Sequence, residues 1–494
     1  MYIGLDIGTS GTKASLINEE GRLLKDHQVA YGFCNTENGY RELNADEVWD
    51  AVKACLAAVG GHRGIRTITV SALGEAIIPM DASGRPLCKS ISGTDIRGTQ
   101  ELEEIQYLLG RERLTDITGL NLSTIYSGNK ILWLKKQAAK LYEEAWKIVT
   151  FQDYVIYRLT HSAVIDYSMA SRTLLFDIGT NSWSEEILRA LGIDRNKLSE
   201  PARGGSIVGT MEGRVAGELG LSPGIKVVVG THDHICNAIG SGSVNYGDCA
   251  NTVGTTEGLT ALLHRAQLST DSINRYQISC EPFVLPRMFN TVAWNNTSGI
   301  LLKWFVQEFV REEGTAGIRE VFRKLNEGMA AEPTGLLVLP HFSGAATPHM
   351  DDRSKGAILG LTLGTRREDI YKALMEGANY ELALILDCLR KAGLQPGRLT
   401  ATGGALSEQL LQIKADVLDM EVHTVESKQT GTLGGAILGA VAAGDFPTVA
   451  EAVEKMVRMG RTYEPESRFV KVYREKLCIY KELYQKLKEI NHLL

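Results

Sequence analysis

The segment Gly230-Thr-His-Asp-His-Ile-Cys-Asn-Ala-Ile-Gly240 sets one carboxylate, Asp233, between two imidazoles at a glycine-flanked break after the apolar run Ile225 to Val229. A strand followed by such a break presents side chains at the rim of a sheet, where ligands of α/β folds bind, and Asp233 stands where a helix can begin. The helix dipole holds an acid there in its ionised form, able to take a proton from a hydroxyl that is itself being activated. That is the logic of phosphoryl transfer. His232 and His234 also admit a reading as metal ligands, but such a site needs three or four ligands. The other histidines form no second cluster with them.

The amino terminus supplies a place for the phosphates. Tyr2-Ile-Gly-Leu-Asp-Ile-Gly-Thr-Ser-Gly-Thr-Lys13 reads as a short strand, a turn built on Gly8, Gly11 and hydroxyl residues, and a second strand through Ala14 to Ile17. Glycines let backbone approach an anion closely, and turn amides with the Thr9 and Ser10 hydroxyls can donate to phosphate oxygens, with Lys13 beside them. Asp6, at the strand end, is placed to hold Mg²⁺ directly or through water. No GxxxxGK[ST] string occurs, and a strand rather than a helix follows the glycines, so neither a P-loop nor a dinucleotide fingerprint is present. A shorter copy, Asn251-Thr-Val-Gly-Thr-Thr-Glu-Gly-Leu-Thr260, lies about half the chain length further on. That spacing predicts a duplicated domain with one phosphate loop in each copy. A third glycine string, Ala401-Thr-Gly-Gly-Ala-Leu-Ser407, leaves room for a flat ring against backbone at Gly403, Gly404 and Ala405.

Taken with Val253-Gly-Thr-Thr-Glu-Gly258, Ser343-Gly-Ala-Ala-Thr-Pro-His349, Gly356-Ala-Ile-Leu-Gly-Leu-Thr362 and Thr402-Gly-Gly-Ala-Leu-Ser407, these segments resemble the FGGY carbohydrate kinases in order and spacing from Met1 to about Leu487. Lys130-Ile-Leu-Trp-Leu134 and Asp166-Tyr-Ser-Met-Ala-Ser171 point to the xylulokinase branch. The resemblance implies an α/β fold of two RNase H-like (actin-like ATPase) domains around a catalytic cleft. Residues 1–244 would carry sugar binding, the first phosphate loop and the base, and residues 245–494 the nucleotide. It implies ATP and Mg²⁺ and transfer of the γ-phosphate to a primary hydroxyl of a pentulose-like ketose. Another polyol, a hexulose or an aldonate is the alternative acceptor. Asp233 resembles the family's general base and Asp6 its magnesium carboxylate; Thr9, Ser10, Lys13 and Thr255 fall on the phosphate loops. Gly299, Lys303 and Gly403 to Ala405 fall on the nucleotide wall, and Glu75, Asp95, Arg97 and His234 on the sugar wall.

The sugar wall departs from the xylulokinase pattern. Gly74-Glu75 stands where Met-His is usual, Gly93 where tryptophan is usual, and His234 where Asn is common. The glycines are expected to leave volume, which Trp294 or Tyr40 can wall, and Glu75 either accepts sugar hydroxyls or pairs with Arg97.

The elements that must position these groups are ordinary. At 494 residues, 44% hydrophobic and 23% charged, the chain can build two cores. Stripes at three- and four-residue spacing predict helices over Asp369 to Leu389 and Phe469 to Leu487, and a helical stretch runs from Glu408 to Met420. The hinge is expected at Ser241 to Gly247. A net charge of −6 offers no basic patch for nucleic acid, and eight scattered cysteines without CxxC suit a reduced, cytoplasmic setting. No apolar run approaches membrane-spanning length, so the expected partner is a small-molecule sugar, with a homodimer compatible. A regulatory ATPase of the actin and heat-shock kind shares the duplicated fold. Against it stands the polar wall of Glu75, Asp95 and Arg97, which a nucleotide switch does not need.

Overall fold

The computed structural model describes residues 1–264, 268–310 and 317–494. Strand Tyr2–Ile7 runs antiparallel to Gly11–Ile17, which pairs in turn with Leu23–Ala30. On its other side Tyr2–Ile7 pairs in parallel with Thr67–Ala72, then Lys226–His232 follows, and Ile207–Thr210 closes the edge antiparallel. The second sheet repeats this plan. Cys249–Val253 is antiparallel to Glu257–Leu263 and through it to Phe289–Asn295; on the other side lie parallel Leu399–Thr402 and Val422–Val425, then antiparallel Met459–Tyr463. Short Glu281–Pro282 extends the far edge. This is the duplicated RNase H-like, actin-like architecture expected from the repeated glycine loops, each of which caps the first hairpin of its sheet.

Register explains why a carboxylate and an amine share one place. Asp6 sits directly opposite Lys13 across the first hairpin, so both side chains leave the same face at the strand end. Between Val229 and His232 the pairing of strand Lys226–His232 with Thr67–Ala72 shifts register, across Gly230 and Thr231. A Cβ on Gly230 would lie 2.5 Å from the Val70 carbonyl oxygen, so the strands approach as closely as they do only because the residue is glycine.

The helices that meet the site are held by equally close packing. Helix Asp233–Gly240 starts at Asp233 itself and crosses helix Thr430–Ala443. A Cβ on Gly240 would fall 1.9 Å from the Thr430 carbonyl oxygen, and one on Gly434 would fall 1.8 Å from that of Cys236. Thr430–Ala443 also packs on strands Tyr2–Ile7 and Thr67–Ala72, so a helix from the second half of the chain covers the first sheet. The segment expected as a hinge, Ser241 to Gly247, is a pair of turns whose Val244 and Asn245 amides donate to the Asp248 carboxylate at 3.0 and 2.8 Å. The striped helices are observed at Arg367–Lys391, Glu408–Leu418 and Ser467–Leu493. Among the described residues no helix is long and apolar enough to cross a membrane.

Candidate active site

Asp233 is the first residue of its helix, and its Oδ1 accepts the His234 amide at 2.7 Å. His232 Nε2 lies 3.5 Å and His234 Nε2 4.0 Å from the same oxygen. Burial, then the Arg172 and His234 charges, hold the His232 imidazole well below its ordinary pKa, so it stands neutral beside the acid. The strand end before Asp233 is fixed by the Asp166-Tyr-Ser segment. Asp166 caps helix Tyr167–Ser171 and accepts the Ser168 hydroxyl at 2.7 Å, while Ser168 Oγ accepts the His232 amide at 2.9 Å. The Asp166-Tyr-Ser motif thus holds the backbone next to Asp233 in place. Among the described residues no third His, Cys, Asp or Glu joins His232 and His234 in a group that could hold a metal ion.

Asp233, Asp6, Lys13 and His234 line one cavity, with Asn237, Thr252, Thr402, Gly403 and the segment Lys428 to Thr432. Lys13 points into this cavity, not to bulk solvent. Asp6 Oδ1 is buried without a hydrogen-bond partner. Burial, then the field of Asp233, pushes its carboxyl up to about 7, with Lys13 opposing. An orphaned carboxylate oxygen within the field of a second carboxylate is a donor set of hard oxygens. It fits a small divalent cation that takes its remaining ligands from water and phosphate.

The two glycine loops stand as hairpin tips. Thr9 and Ser10 are exposed, and Tyr31 anchors their loop by donating its hydroxyl to Gly8 O at 2.8 Å and its amide to Ser10 O at 3.2 Å. Thr255 is exposed on the second tip, whose Gly254 and Thr255 carbonyls accept the Gly299 and Ser298 amides at 3.0 and 3.1 Å. A Cβ on Gly299 would sit 2.5 Å from Gly254 O and 2.6 Å from the Ala405 Cβ, so three backbone segments meet edge to edge. They open onto a cleft of about 850 Å³ whose lining includes Thr255, Gly299, Lys303, Gly404, Ala405, Phe322 and Tyr371. Gly403, next in the chain, faces the cavity of Asp233, so the two spaces adjoin.

The sugar wall is where the structure corrects the sequence. Glu75 does not pair with Arg97. It pairs with Arg172, whose Nε donates to it and whose Nη1 donates to Glu281 Oε1 at 2.8 Å. Arg172 also lies over the Tyr126 ring, and Glu281 accepts the Ser279 hydroxyl at 2.6 Å. Glu75 carries a φ of +65, a left-handed conformation that a glutamate adopts at a cost. Burial pushes its carboxyl up and Arg172 pulls it down.

Nor do the glycines leave volume. A Cβ on Gly74 would lie 2.8 Å from His232 Nε2 and 3.2 Å from Arg172 Nε, and one on Gly93 would lie 3.1 Å from the Glu75 Cβ. The space beside the two glycines is filled by Glu75, Arg172 and His232. Asp95 and Arg97 are also not brought to the Asp233 cavity. The two-residue spacing folds Asp95 back onto the Arg97 amide at 2.9 Å and Nε at 2.8 Å; Arg97 Nη2 also reaches Glu42, and Arg41 N donates to Asp95 at 2.6 Å. The pair locks two loops together, with Arg97 stacked on Tyr40, so Tyr40 is committed there. Arg172 and Glu281 went unread because they are far apart in sequence. Arg172 directly follows the quoted segment ending at Ser171, but Glu281 lies in no local motif.

Residues 1–240 match the model of the N-terminal domain, and residues 249–443 that of the C-terminal domain, of the FGGY family of carbohydrate kinases. A xylulose kinase of Staphylococcus xylosus is 26% identical over 98% of this chain and 99% of its own. A gluconokinase of Bacillus subtilis (strain 168) is 27% identical over 97% of this chain and 94% of its own. The crystal structure of a gluconate kinase from Lactobacillus acidophilus superposes with a TM-score of 0.89 at 23% identity, covering 98% of each chain. At that identity the superposition speaks for the fold.

Proposed function

The chain belongs to the FGGY family of carbohydrate kinases, is therefore a sugar kinase with ATP as co-substrate, and we propose that it phosphorylates a primary hydroxyl of a neutral, pentulose-like ketose with Asp233 as the base. On this reading the nucleotide base occupies the cleft beside Gly299 and Gly404-Ala405 and the triphosphate runs between the two hairpin tips. The Thr9, Ser10 and Thr255 hydroxyls and Lys13 hold its oxygens. Asp6 would hold Mg²⁺, which when bound neutralises charge on the transferring phosphoryl group. Asp233 accepts the proton as the acceptor oxygen attacks, and the neutral His232 beside it leaves its acceptor strength undiminished.

The observation that carries the choice of a neutral acceptor is the ionic state of the sugar wall. Arg172 is already bonded to both Glu75 and Glu281, so its guanidinium has no charge to spare for an acidic acceptor. An aldonate carboxylate about 6 Å from an uncompensated negative charge costs roughly 3 kcal/mol at an effective dielectric of 20. A ketose offers hydroxyl donors that carboxylates can accept. The reading as a regulatory ATPase yields to the family.

A coupled assay of ADP release over D-xylulose, other ketoses, alditols and gluconate tests this. A ketose should give the highest kcat/KM, with gluconate at least about tenfold lower. Gluconate as the best acceptor would overturn the neutral-substrate reading while leaving the kinase intact.

A further inference from the structure

One side chain joins the base helix to every strand and helix end of the second half that borders the Asp233 cavity. Asn237 lies one helical turn after Asp233, on the same face. Its Oδ1 accepts the Thr430 hydroxyl, and its Nδ2 donates to Thr252 Oγ1 at 2.7 Å; Thr402 Oγ1 stands between the two ends of the carboxamide, 3.4 Å from Nδ2 and 3.5 Å from Oδ1. Thr252 closes the strand segment before the second phosphate loop, Thr402 ends the strand before Gly403, and Thr430 begins the helix that covers the first sheet. All four residues line the cavity that holds Asp6 and Asp233.

The polarity of this cluster has a chemical consequence. A carboxamide nitrogen carries two protons and no acceptor, and a hydroxyl whose lone pair is occupied by one of them keeps its own proton free. Asn237 therefore turns Thr252 into a donor aimed away from itself and holds Thr402 in the same cluster. Both threonines line the cavity shared by Asp6, Lys13, Asp233 and Gly403. Donors fixed before the reaction stabilise the charge that develops on a transferring group more than mobile ones do.

We propose that Asn237 is a positioning residue that orients the Thr252 hydroxyl as a donor to the nucleotide phosphates, holds Thr402 beside it and sets the distance of both from Asp233. The proposal rests on Asp233 as the base and adds to it residues that no glycine motif contains. It concerns the ATP side of the reaction and leaves the sugar wall of Glu75 and Arg172 untouched.

The experiment is steady-state kinetics on the full-length chain with the best neutral acceptor, alongside thermal melting. Asn237→Ala should lower kcat/KM for ATP by about 10- to 100-fold and leave KM for the sugar within about twofold, because misplacing donors near the reacting group is costly. Thr252→Val and Thr402→Val should each give a smaller loss, and neither should add to the loss in the Asn237→Ala background. Thr252→Ser, which keeps the hydroxyl, should be close to native.

Native kinetics in Asn237→Ala, a KM for the sugar raised as much as that for ATP, additive losses in the double variants, or a loss accounted for by the unfolded fraction would each overturn the proposal. Should Asn237→Ala fail to fold, the contrast of Thr252→Val with Thr252→Ser still decides, since indistinguishable kinetics would overturn it. Asp233→Asn measured in parallel separates the premises. If that variant stays active while Asn237→Ala behaves as expected, the base assignment fails and the donor cluster stands.

Discussion

Replacing Arg172 with Met removes the cation shared by Glu75 and Glu281 and keeps comparable bulk. In the native protein the guanidinium donates to both acids; its side chain is 8% exposed, and those of Glu75 and Glu281 are 13% and 0%. Breaking a buried pair from one side typically costs about 3–5 kcal/mol, because the remaining charge is left uncompensated. In a half-chain of this size that corresponds to a fall in Tm of roughly 6–20 °C. The loss should depend on pH, with a definite sign. Burial already pushes the Glu75 carboxyl up and Arg172 is the main group opposing it, so in the variant it rises further. Between the unfolded and folded pKa values the native state of the variant then binds more protons than the unfolded state, and stability falls as pH rises. Differential scanning calorimetry at pH 6 and pH 8 should show a smaller gap to the native protein at pH 6. The triple variant Glu75→Gln, Arg172→Met, Glu281→Gln, which leaves no charge behind, should recover much of the loss. A Tm within about 2 °C of native at pH 8, or a gap equal at both pH values, would refute the account of this triad.

Three further outcomes follow from the same geometry. Glu75→Gln should raise KM for the sugar and leave KM for ATP nearly unchanged, with a size bounded by one or two charge-assisted hydrogen bonds of roughly 1.5–3 kcal/mol each; equal effects on both substrates would contradict a sugar-wall role. Gly74→Ala places a Cβ 2.8 Å from His232 Nε2, so it should cost about 1–3 kcal/mol of stability and lower kcat through the shifted imidazole, as unfolding and initial-rate measurements will show. Asp6 is held up to about 7 by burial and Asp233, and an acid raised above its unfolded value destabilises the native state as pH rises from about 4 through 7. Asp6→Asn should therefore melt higher than native at pH 8 in EDTA while losing Mg²⁺-dependent activity, and a lower melting point there would contradict the buried-acid reading.

What could be read from the residues alone was local. The hairpin loops at Gly8 and Gly254 announce themselves because glycine, hydroxyls and a following strand occur within a few positions, and their spacing exposes the duplication. The long helices Arg367–Lys391 and Ser467–Leu493 follow from apolar periodicity, and their observed ends run only a few residues beyond the stripes. The sugar wall resisted because its partners meet only in three dimensions. Glu75, Arg172 and Glu281 come from three distant segments, and the choice between Arg97 and Arg172 as partner depends on a turn that folds Asp95 onto Arg97 first. Reading glycine as vacancy at Gly74 and Gly93 failed for the same reason, since neighbours far along the chain fill the space. Asn237 was printed within the motif around Asp233, but its threonine partners were not visible from it.

The central claim is that Asp233 takes the proton of the acceptor hydroxyl, and Asp233→Asn tests it most directly. The substitution keeps the shape and the acceptor for the His234 amide while removing the base. Turnover measured at saturating ATP, Mg²⁺ and the best acceptor should fall by about two to four orders of magnitude, with dissociation constants for sugar and nucleotide within about threefold of native. Turnover within about tenfold of native would contradict the assignment of Asp233 as the base.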